Sequence, residues 1–508
     1  MSIETTDDAA AHREAGPRPG QLQRGLGLLD ATMIVVGSMI GSGIFITSAE
    51  STRLVGAPGW LLAAWALAGL LTITGALCCA ELAAMMPRAG GQYVFLREAY
   101  GPALGFLFGW SLFLVIQTGT IAAVAVAFAR FTGVLWPWVA ADNYLVAPVR
   151  LSADYAVSLS TEQLTAVSLI LLLTYTNTRG LRLGRLIQNA FTFTKTAALA
   201  GLILVGLLVG WNAGSAAYTS AWWDSWANGW NPQAAQPGLA ATGGLALAML
   251  LGRAMTGPLF AQSAWNNVTF TGSEIRDPGR NLPRSLLVGC AVVVGLYLLA
   301  NLAYVVTLPL EVMQQPGKSI ATATMQAALG PAGTVLMAAF IMVSTFGCNN
   351  GLILAGARVN YAMACDRLFF GRVARLNSRH VPAVALAVQG VWASLLTLPR
   401  TVTTDAAGRA TYGNVYNQLL EYIIPADLVF YVLMVGAVVV LRHKRPAAPR
   451  PYRTPGYPLV PAVYVLLATL LTLDLVYLAR LTSGLGFLLV LTGLPVYYLW
   501  RRGAGKRI

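Results

Sequence analysis

Charge is scarce in this 508-residue chain: only 11% of its residues are Asp, Glu, Lys or Arg, against 56% hydrophobic. A soluble globular domain carries nearer a quarter charged residues, so an ordinary soluble fold is excluded and repeated crossing of a bilayer is implied. Histidine is scarcer still. His12, His380 and His443 all lie outside the long apolar runs, which excludes a proton relay of membrane-embedded histidines. The five cysteines, Cys78, Cys79, Cys290, Cys348 and Cys365, fall in or at the ends of apolar runs. Their spacing fits neither a disulfide framework nor a metal site. With no nucleophile–base pair either, no enzyme, metal or cofactor is expected. No signal-peptide pattern opens the chain, and residues 1–25 read as a polar, disordered cytoplasmic tail.

What is present is basic excess, a formal +14 at pH 7. Its distribution argues against nucleic acid as a partner. The chain reads as an all-α polytopic protein with about twelve spans, centred near residues 37, 70, 117, 168, 198, 255, 295, 345, 390, 430, 469 and 492. With both termini inside, most of the 34 Lys and Arg fall in cytoplasmic segments, as the positive-inside rule requires. Residues 26–502 are then a single transmembrane domain and 503–508 a short cytoplasmic tail. The longest polar stretch on the outer side, about Trp211 to Gly238, carries Trp222, Trp223, Trp226 and Trp230 and no Lys or Arg. It reads as an interfacial aromatic belt or as a gate over an outer vestibule.

The first span is interrupted by Gly37-Ser-Met-Ile-Gly-Ser-Gly-Ile-Phe45. A helix in lipid satisfies its own backbone, and irregular backbone survives only where protein covers it or it lines a cavity. Freed N–H groups at a half-helix start suit an anion such as a carboxylate. A close-packing surface of small residues is the alternative. Five spans later, Gly252 to Asn267 holds Pro258, Gln262, Ser263, Asn266 and Asn267 at mid-membrane depth. Pro258 removes a helix hydrogen bond. Interrupted first and sixth spans, an odd number apart, mark a five-plus-five inverted repeat of a transporter.

The motifs carry a resemblance over about Gly25 to Arg502. They are Gly41-Ser-Gly-Ile-Phe45, Ala80-Glu-Leu-Ala-Ala-Met-Met-Pro-Arg-Ala-Gly-Gly-Gln-Tyr93, Phe260 to Asn266 with Glu274 and Pro278-Gly-Arg-Asn-Leu-Pro-Arg284, Arg358-Val-Asn-Tyr-Ala-Met-Ala364, and Arg450-Pro-Tyr-Arg-Thr-Pro-Gly-Tyr-Pro458. The chain resembles the amino acid–polyamine–organocation superfamily, and within it the L-type amino acid transporter family. The resemblance implies a LeuT-type fold carrying free amino acids by alternating access. It implies a substrate carboxylate at Gly41, Ser42 and Gly43, an α-amino group at carbonyls of Ile40, Phe260, Ala261 and Ser263, and Phe260 as an aromatic gate. Two departures stand out. Ser263 and Ala264 replace the two glycines the family often has before Trp265, which narrows the side-chain pocket. Asp427 stands where some members have a pocket asparagine. The loop after the third span lacks the cysteine by which animal relatives hold a glycoprotein, so no disulfide-linked subunit is expected.

A charge at mid-bilayer costs roughly 2.5–3.5 kcal/mol on insertion scales. Lys195, in the fifth span, is either a snorkelling side chain or a fixed ammonium replacing sodium between the first and eighth spans. The resemblance supports the second reading, with first-span carbonyls and the Ser344 or Thr345 hydroxyl as partners. Asp427 is open to three roles: pairing with a cationic substrate, titrating as a coupling site, or accepting structural hydrogen bonds. Arg253 is its candidate counter-ion, or reaches the outer interface. Glu81, Arg358 and Asp474 near span ends read as interfacial or packing residues. Glu274 reads as a cytoplasmic latch tied to the arginine-rich loop that follows it. The combined expectation is a sodium-independent transporter of small neutral amino acids, exchanging or proton-coupled, in the plasma or inner membrane. A polyamine or organic-cation permease of the same fold and a membrane nutrient sensor are its rivals. The expected partners are the amino acid and the lipid bilayer.

Overall fold

The computed structural model describes residues 22 and 24–504, apart from 154, 316–318, 405–409, 415 and 479. The expected terminal tails lie almost wholly outside these residues.

Among the described residues, nine helices are long and apolar enough to cross a membrane, and shorter apolar helices accompany them. The twelve expected centres each fall within a helix or at its break. The first span divides into α1 (Leu28–Met39) and α2 (Gly43–Ile46), and α2 runs through a helical Thr47 into α3 (Ser48–Val55). α4 (Pro58–Met85) is the second span, followed by a short α5 (Gln92–Tyr100). The third span is α6 (Pro102–Ser111), a π-helical turn (Leu112–Ile116) and α7 (Gln117–Leu135). α8 (Thr161–Thr178) and α9 (Leu181–Leu208) complete the first half.

The sixth span is broken more severely, into α10 (Gly243–Ala254), α11 (Thr256–Ala261) and α12 (Asn267–Phe270). Next come α13 (Pro278–Thr307), the short α14 (Ile320–Leu329), α15 (Pro331–Cys365) and α16 (Ala383–Leu395). The chain ends with α17 (Tyr416–Lys444), α18 (Leu459–Leu478), α19 (Arg480–Leu491) and α20 (Gly493–Ala504). Proline opens α4, α6, α13 and α15, where its missing N–H is an orphan in any case. The fold is thus polytopic and helical, with broken first and sixth spans, as expected. α13 packs on α4 and α1, and α15 on α7 and α9. Leucines such as Leu466, Leu470 and Leu473 of α18 face outward, as lipid contact demands.

One element lies outside the sequence expectations. β1 (Tyr144–Arg150), β2 (Tyr155–Ser160), β3 (Pro399–Thr404) and β4 (Ala410–Asn414) form an antiparallel sheet in that order. It joins the loop after the third span to the loop before the tenth. Arg400, only 2% exposed, donates to the hydroxyls of Ser158 (3.1 Å) and Ser160 (2.8 Å) and to Ala141 O (2.8 Å). The Tyr155 and Tyr422 hydroxyls, 2.6 Å apart, link the sheet to α17.

The tryptophan-rich segment clasps the turn between α3 and α4 on the same face. Trp230 Nε1 donates to Leu54 O (3.1 Å), Ser225 Oγ to Val55 O (2.6 Å) and Asn228 Nδ2 to Gly56 O (3.2 Å). In return Gly59 N and Trp60 Nε1 donate to the carbonyls of Trp222 (3.0 Å) and Trp223 (2.8 Å). The last carbonyls of a helix need partners from outside it, and the clasp supplies them.

Candidate functional site

The two breaks meet at the centre of the protein. α1 ends where Ile40 turns to extended backbone (φ −74°, ψ 90°). The helix restarts at Gly43, and the first N–H groups of a helix have no carbonyl within it to receive them. Opposite, α11 ends at Ala261, and Ala264 takes a left-handed φ of 64°. Gly43 lies so close to this second break that a Cβ on it would stand 2.6 Å from Ala261 Cβ. Only glycine allows that approach.

Lys195 of α9 is fully buried and reaches across to the first break, where its ammonium donates to Gly37 O and, at 2.8 Å, to Ile40 O. The Ser344 hydroxyl of α15 lies 3.2 Å from both Ile40 O and Gly41 O. Thr345 does not join them, because its hydroxyl donates to Ile341 O of its own helix (2.7 Å). Cys348 approaches instead, its Sγ 3.2 Å from Ser38 O.

α13 supplies three residues that sequence reasoning passed over. Tyr297 Oη lies 2.9 Å from Met39 O and 3.3 Å from Ala261 O, touching both breaks. Asn301 Oδ1 accepts from Ser48 Oγ (2.8 Å), and Tyr304 Oη donates to Ile44 O (3.2 Å). Polar residues at 297, 301 and 304 share one face of an otherwise apolar helix, and that spacing was the available signal. The outer halves of the two broken spans are also joined, by Ser51 Oγ donating to Ala254 O (2.7 Å).

A family model described as amino acid permease matches residues 26–494. The chain belongs to the amino acid permease family. It is therefore an integral membrane transporter and not an enzyme. The permease is 30% identical over 497 residues to the mouse "Large neutral amino acids transporter small subunit 2", covering 97% of this chain and 84% of that one. The human protein of that name is also 30% identical, with 97% and 83% covered. The human "b(0,+)-type amino acid transporter 1" is 28% identical over 505 residues, with 97% and 91% covered.

Gly41, Ser42, Gly43, Ile40, Ala261, Phe260 and Ser263 of the permease converge at the paired breaks. The expected carbonyl acceptors already hold protein donors. Ile40 O takes Lys195 and Ser344, Ala261 O takes Tyr297, and Phe260 O takes the Ser263 amide (3.1 Å) and hydroxyl (2.8 Å). A carbonyl has two lone pairs, so an ammonium arriving at Phe260 O would compete with the half-buried Ser263 hydroxyl.

Asp427 stands apart. It is buried in α17, in a cavity lined by Thr72, Gln262, Ser263, Trp265 and Tyr464 among others, with no first-span residue. Arg253 acts electrostatically on Asp474 of α18. Glu274 pairs not with the loop after it, whose Arg276 and Arg280 are exposed, but with Arg358 of α15. Both side chains are 2% exposed, and two hydrogen bonds of 2.8 and 3.2 Å join them. Around this pair the chain before α1 is stitched to the end of the sixth span: Gly25 N and Leu26 N donate to Glu274 O, and Arg276 N to Leu26 O (2.8 Å). Glu81 likewise gathers Arg442 (2.7 Å), Arg450 (3.4 Å) and Thr454 N (2.7 Å).

Proposed function

We propose that this permease carries small neutral amino acids by alternating access and needs no sodium, as an exchanger or with protons. One observation carries the sodium reading: a lysine ammonium occupies carbonyls of the first break beside the eighth span, where a cation would otherwise be held. The substrate carboxylate is assigned to the N–H groups of Gly41, Ser42 and Gly43, and its amino group to Phe260 O, with Phe260 closing over it. The name of the mouse and human relatives at 30% identity speaks of large neutral amino acids. Ser263 and Ala264 favour smaller ones here, since crowding a packed pocket costs roughly 1–3 kcal/mol. The polyamine reading loses its best residue, because Asp427 lies behind the sixth break rather than at the junction of the two. We further propose that residues 26–502 work as one transport domain without a disulfide-linked subunit. The face bearing Glu274, Arg276 and Arg442, with both termini, is assigned to the cytoplasm.

The test is uptake into proteoliposomes with sodium replaced by choline, preceded by a thermal-shift screen of the common amino acids. A ligand at a hundred times its Kd stabilises by about 2.7 kcal/mol, so substrates will stand out. Unchanged uptake in choline, with alanine or serine outcompeting tryptophan, is the expected result. Collapse of uptake without sodium would overturn the role of Lys195, and preference for aromatic amino acids would overturn the steric argument. Equal competition by an amino acid and its methyl ester would overturn the carboxylate site.

A further inference from the structure

The face assigned to the cytoplasm carries an aromatic cluster that is packed at its inner end and bare at its outer end. It begins four residues past α15. Phe369 is buried, meets Phe113 of the third-span π-turn edge-on (centroids 5.3 Å apart) and lies parallel to Trp500 of α20 (6.2 Å). Phe370 leans on both Phe369 (5.2 Å) and Trp500 (5.0 Å), yet it is 57% exposed. Tyr498 and Leu499, next to Trp500 in the chain, are exposed as well. The bare aromatic surface therefore continues into a side of α20 that lipid covers.

Cations frame it. Arg367, Arg372 and Arg501 are exposed, and each lies within three residues of Phe370 or Trp500. Acids are nearly absent from both segments. Residues 366–380 hold one, Asp366, and residues 475–508 hold none. Asp366 is engaged elsewhere, accepting from the Tyr93 hydroxyl (2.7 Å) and from Arg97. Two other parts of the chain show that this combination is particular. The outer segment from Trp211 to Gly238 is rich in tryptophan but has no Lys or Arg. The stretch 276–284 exposes Arg276, Arg280 and Arg284 on the same face as Phe370, but it includes Asp277 and no aromatic residue.

Guanidinium groups beside a bare aromatic surface match an anion that carries a hydrocarbon chain. Arginine holds a phosphate through paired, charge-assisted hydrogen bonds. Aromatic rings sit well at the membrane interface, and the negative charge of the cytoplasmic leaflet draws basic residues to it. We propose that Phe370, Trp500, Arg367, Arg372 and Arg501 form a binding site for an anionic phospholipid of the inner leaflet. The arginines take its phosphate, and the two rings take the first methylenes of its chains. The ligand touches the loop after α15 and the end of α20 together, so it fastens these two elements to each other. Through Phe369 it also braces the π-turn of the third span. The site rests on the assignment of this face to the cytoplasm and not on which amino acid is carried.

The test is native mass spectrometry of the full chain in neutral detergent, titrated with phosphatidylglycerol or phosphatidylcholine, with melting temperatures measured beside it. Phosphatidylglycerol should bind the more tightly and raise the melting temperature the more. One arginine near an anionic lipid surface is worth roughly fivefold in affinity. Arg372→Gln with Arg501→Gln should therefore weaken phosphatidylglycerol by roughly twenty-five-fold and leave phosphatidylcholine unchanged, which also shows that the variant is folded. Arg280→Gln with Arg284→Gln removes equal charge from the same face and should change neither lipid. Phe370→Ser should weaken both. Equal affinity for the two lipids, or equal losses from the two arginine pairs, overturns the proposal, because the attraction would then belong to the whole face. Phosphatidylglycerol affinity unchanged by Phe370→Ser, or binding fully displaced by inorganic phosphate, overturns it as well, because the rings would then hold no chain. Polyglutamate binding as tightly as the lipid would make the patch a protein-docking surface and overturn it too.

Discussion

Replacing Glu274 by Gln should unlock the face of the protein that bears Arg276 and Arg442. The carboxylate is 2% exposed and its partner Arg358 equally so. Removing one member of a buried pair strands the other charge, at a cost of about 3–5 kcal/mol. That cost falls on the closed arrangement, because opening this face lets water reach the arginine. At about 1.4 kcal/mol per tenfold, the closed-to-open ratio should drop by roughly two to nearly four powers of ten. Hydrogen exchange reads this directly. The amides of Gly25, Leu26 and Arg276 are bonded across this junction, and their protection should fall with the ratio, while amides of α15 distant from Arg358 keep theirs. Adding Arg358→Met removes the stranded charge and should restore much of the protection. If Glu274→Gln changes exchange at Leu26 and Arg276 less than tenfold, or if Arg358→Met does not offset it, the pair is not what holds this face closed.

Lys195→Met should abolish sodium-independent uptake, since Gly37 O loses the ammonium, Ile40 O keeps only the Ser344 hydroxyl, and a buried carbonyl left unsatisfied costs about 1–3 kcal/mol; a partial return of uptake on adding sodium would be the clearest confirmation, and full activity in choline would refute it. Ala264→Gly should raise thermal stability, because a left-handed φ of 64° costs a non-glycine residue roughly 1–2 kcal/mol; an unchanged or lower melting temperature would show that the alanine methyl packs usefully. Gly43→Ala should abolish substrate-induced thermal stabilisation by forcing the breaks apart at Ala261, and retained stabilisation would place the substrate elsewhere. Ser263→Gly should admit larger neutral amino acids, read as a changed order in the thermal-shift screen.

Much of the site is written in local chemistry. Glycines and serines in an apolar run announced the first break because lipid tolerates no unsatisfied backbone, and Lys195 announced itself because a charge at that depth needs acceptors. Partner choice was harder to read. Thr345 had two acceptors in reach, a neighbouring span or its own helix four residues back, and residue type does not distinguish them. Glu274 was read against the arginines next to it in the chain, but Asp277 turns the chain with φ 44° and leaves Arg276 and Arg280 in solvent. The partner it found, Arg358, is 84 residues away. The sheet escaped notice for the same reason: β2 pairs with β3 across more than two hundred residues, and Pro148 weakens β1 as a strand signal. Asp427 was legible as an anomaly, whereas the small cavity around it exists only once α4, α11, α17 and α18 are packed.

The sheet also bears on how α17 can move. Its outer end is moored to β2 through Tyr155 and Tyr422, and β2 is moored in turn to the third and fourth spans. Two residues before Asp427, Pro425 lacks the N–H that would bond the preceding turn. α17 is therefore a beam pinned at both ends, by the sheet outside and by Arg442 on Glu81 inside, with a notch between them next to Asp427. Bending of α17 is concentrated at that notch, so the helix can flex within the cycle without sliding as a whole.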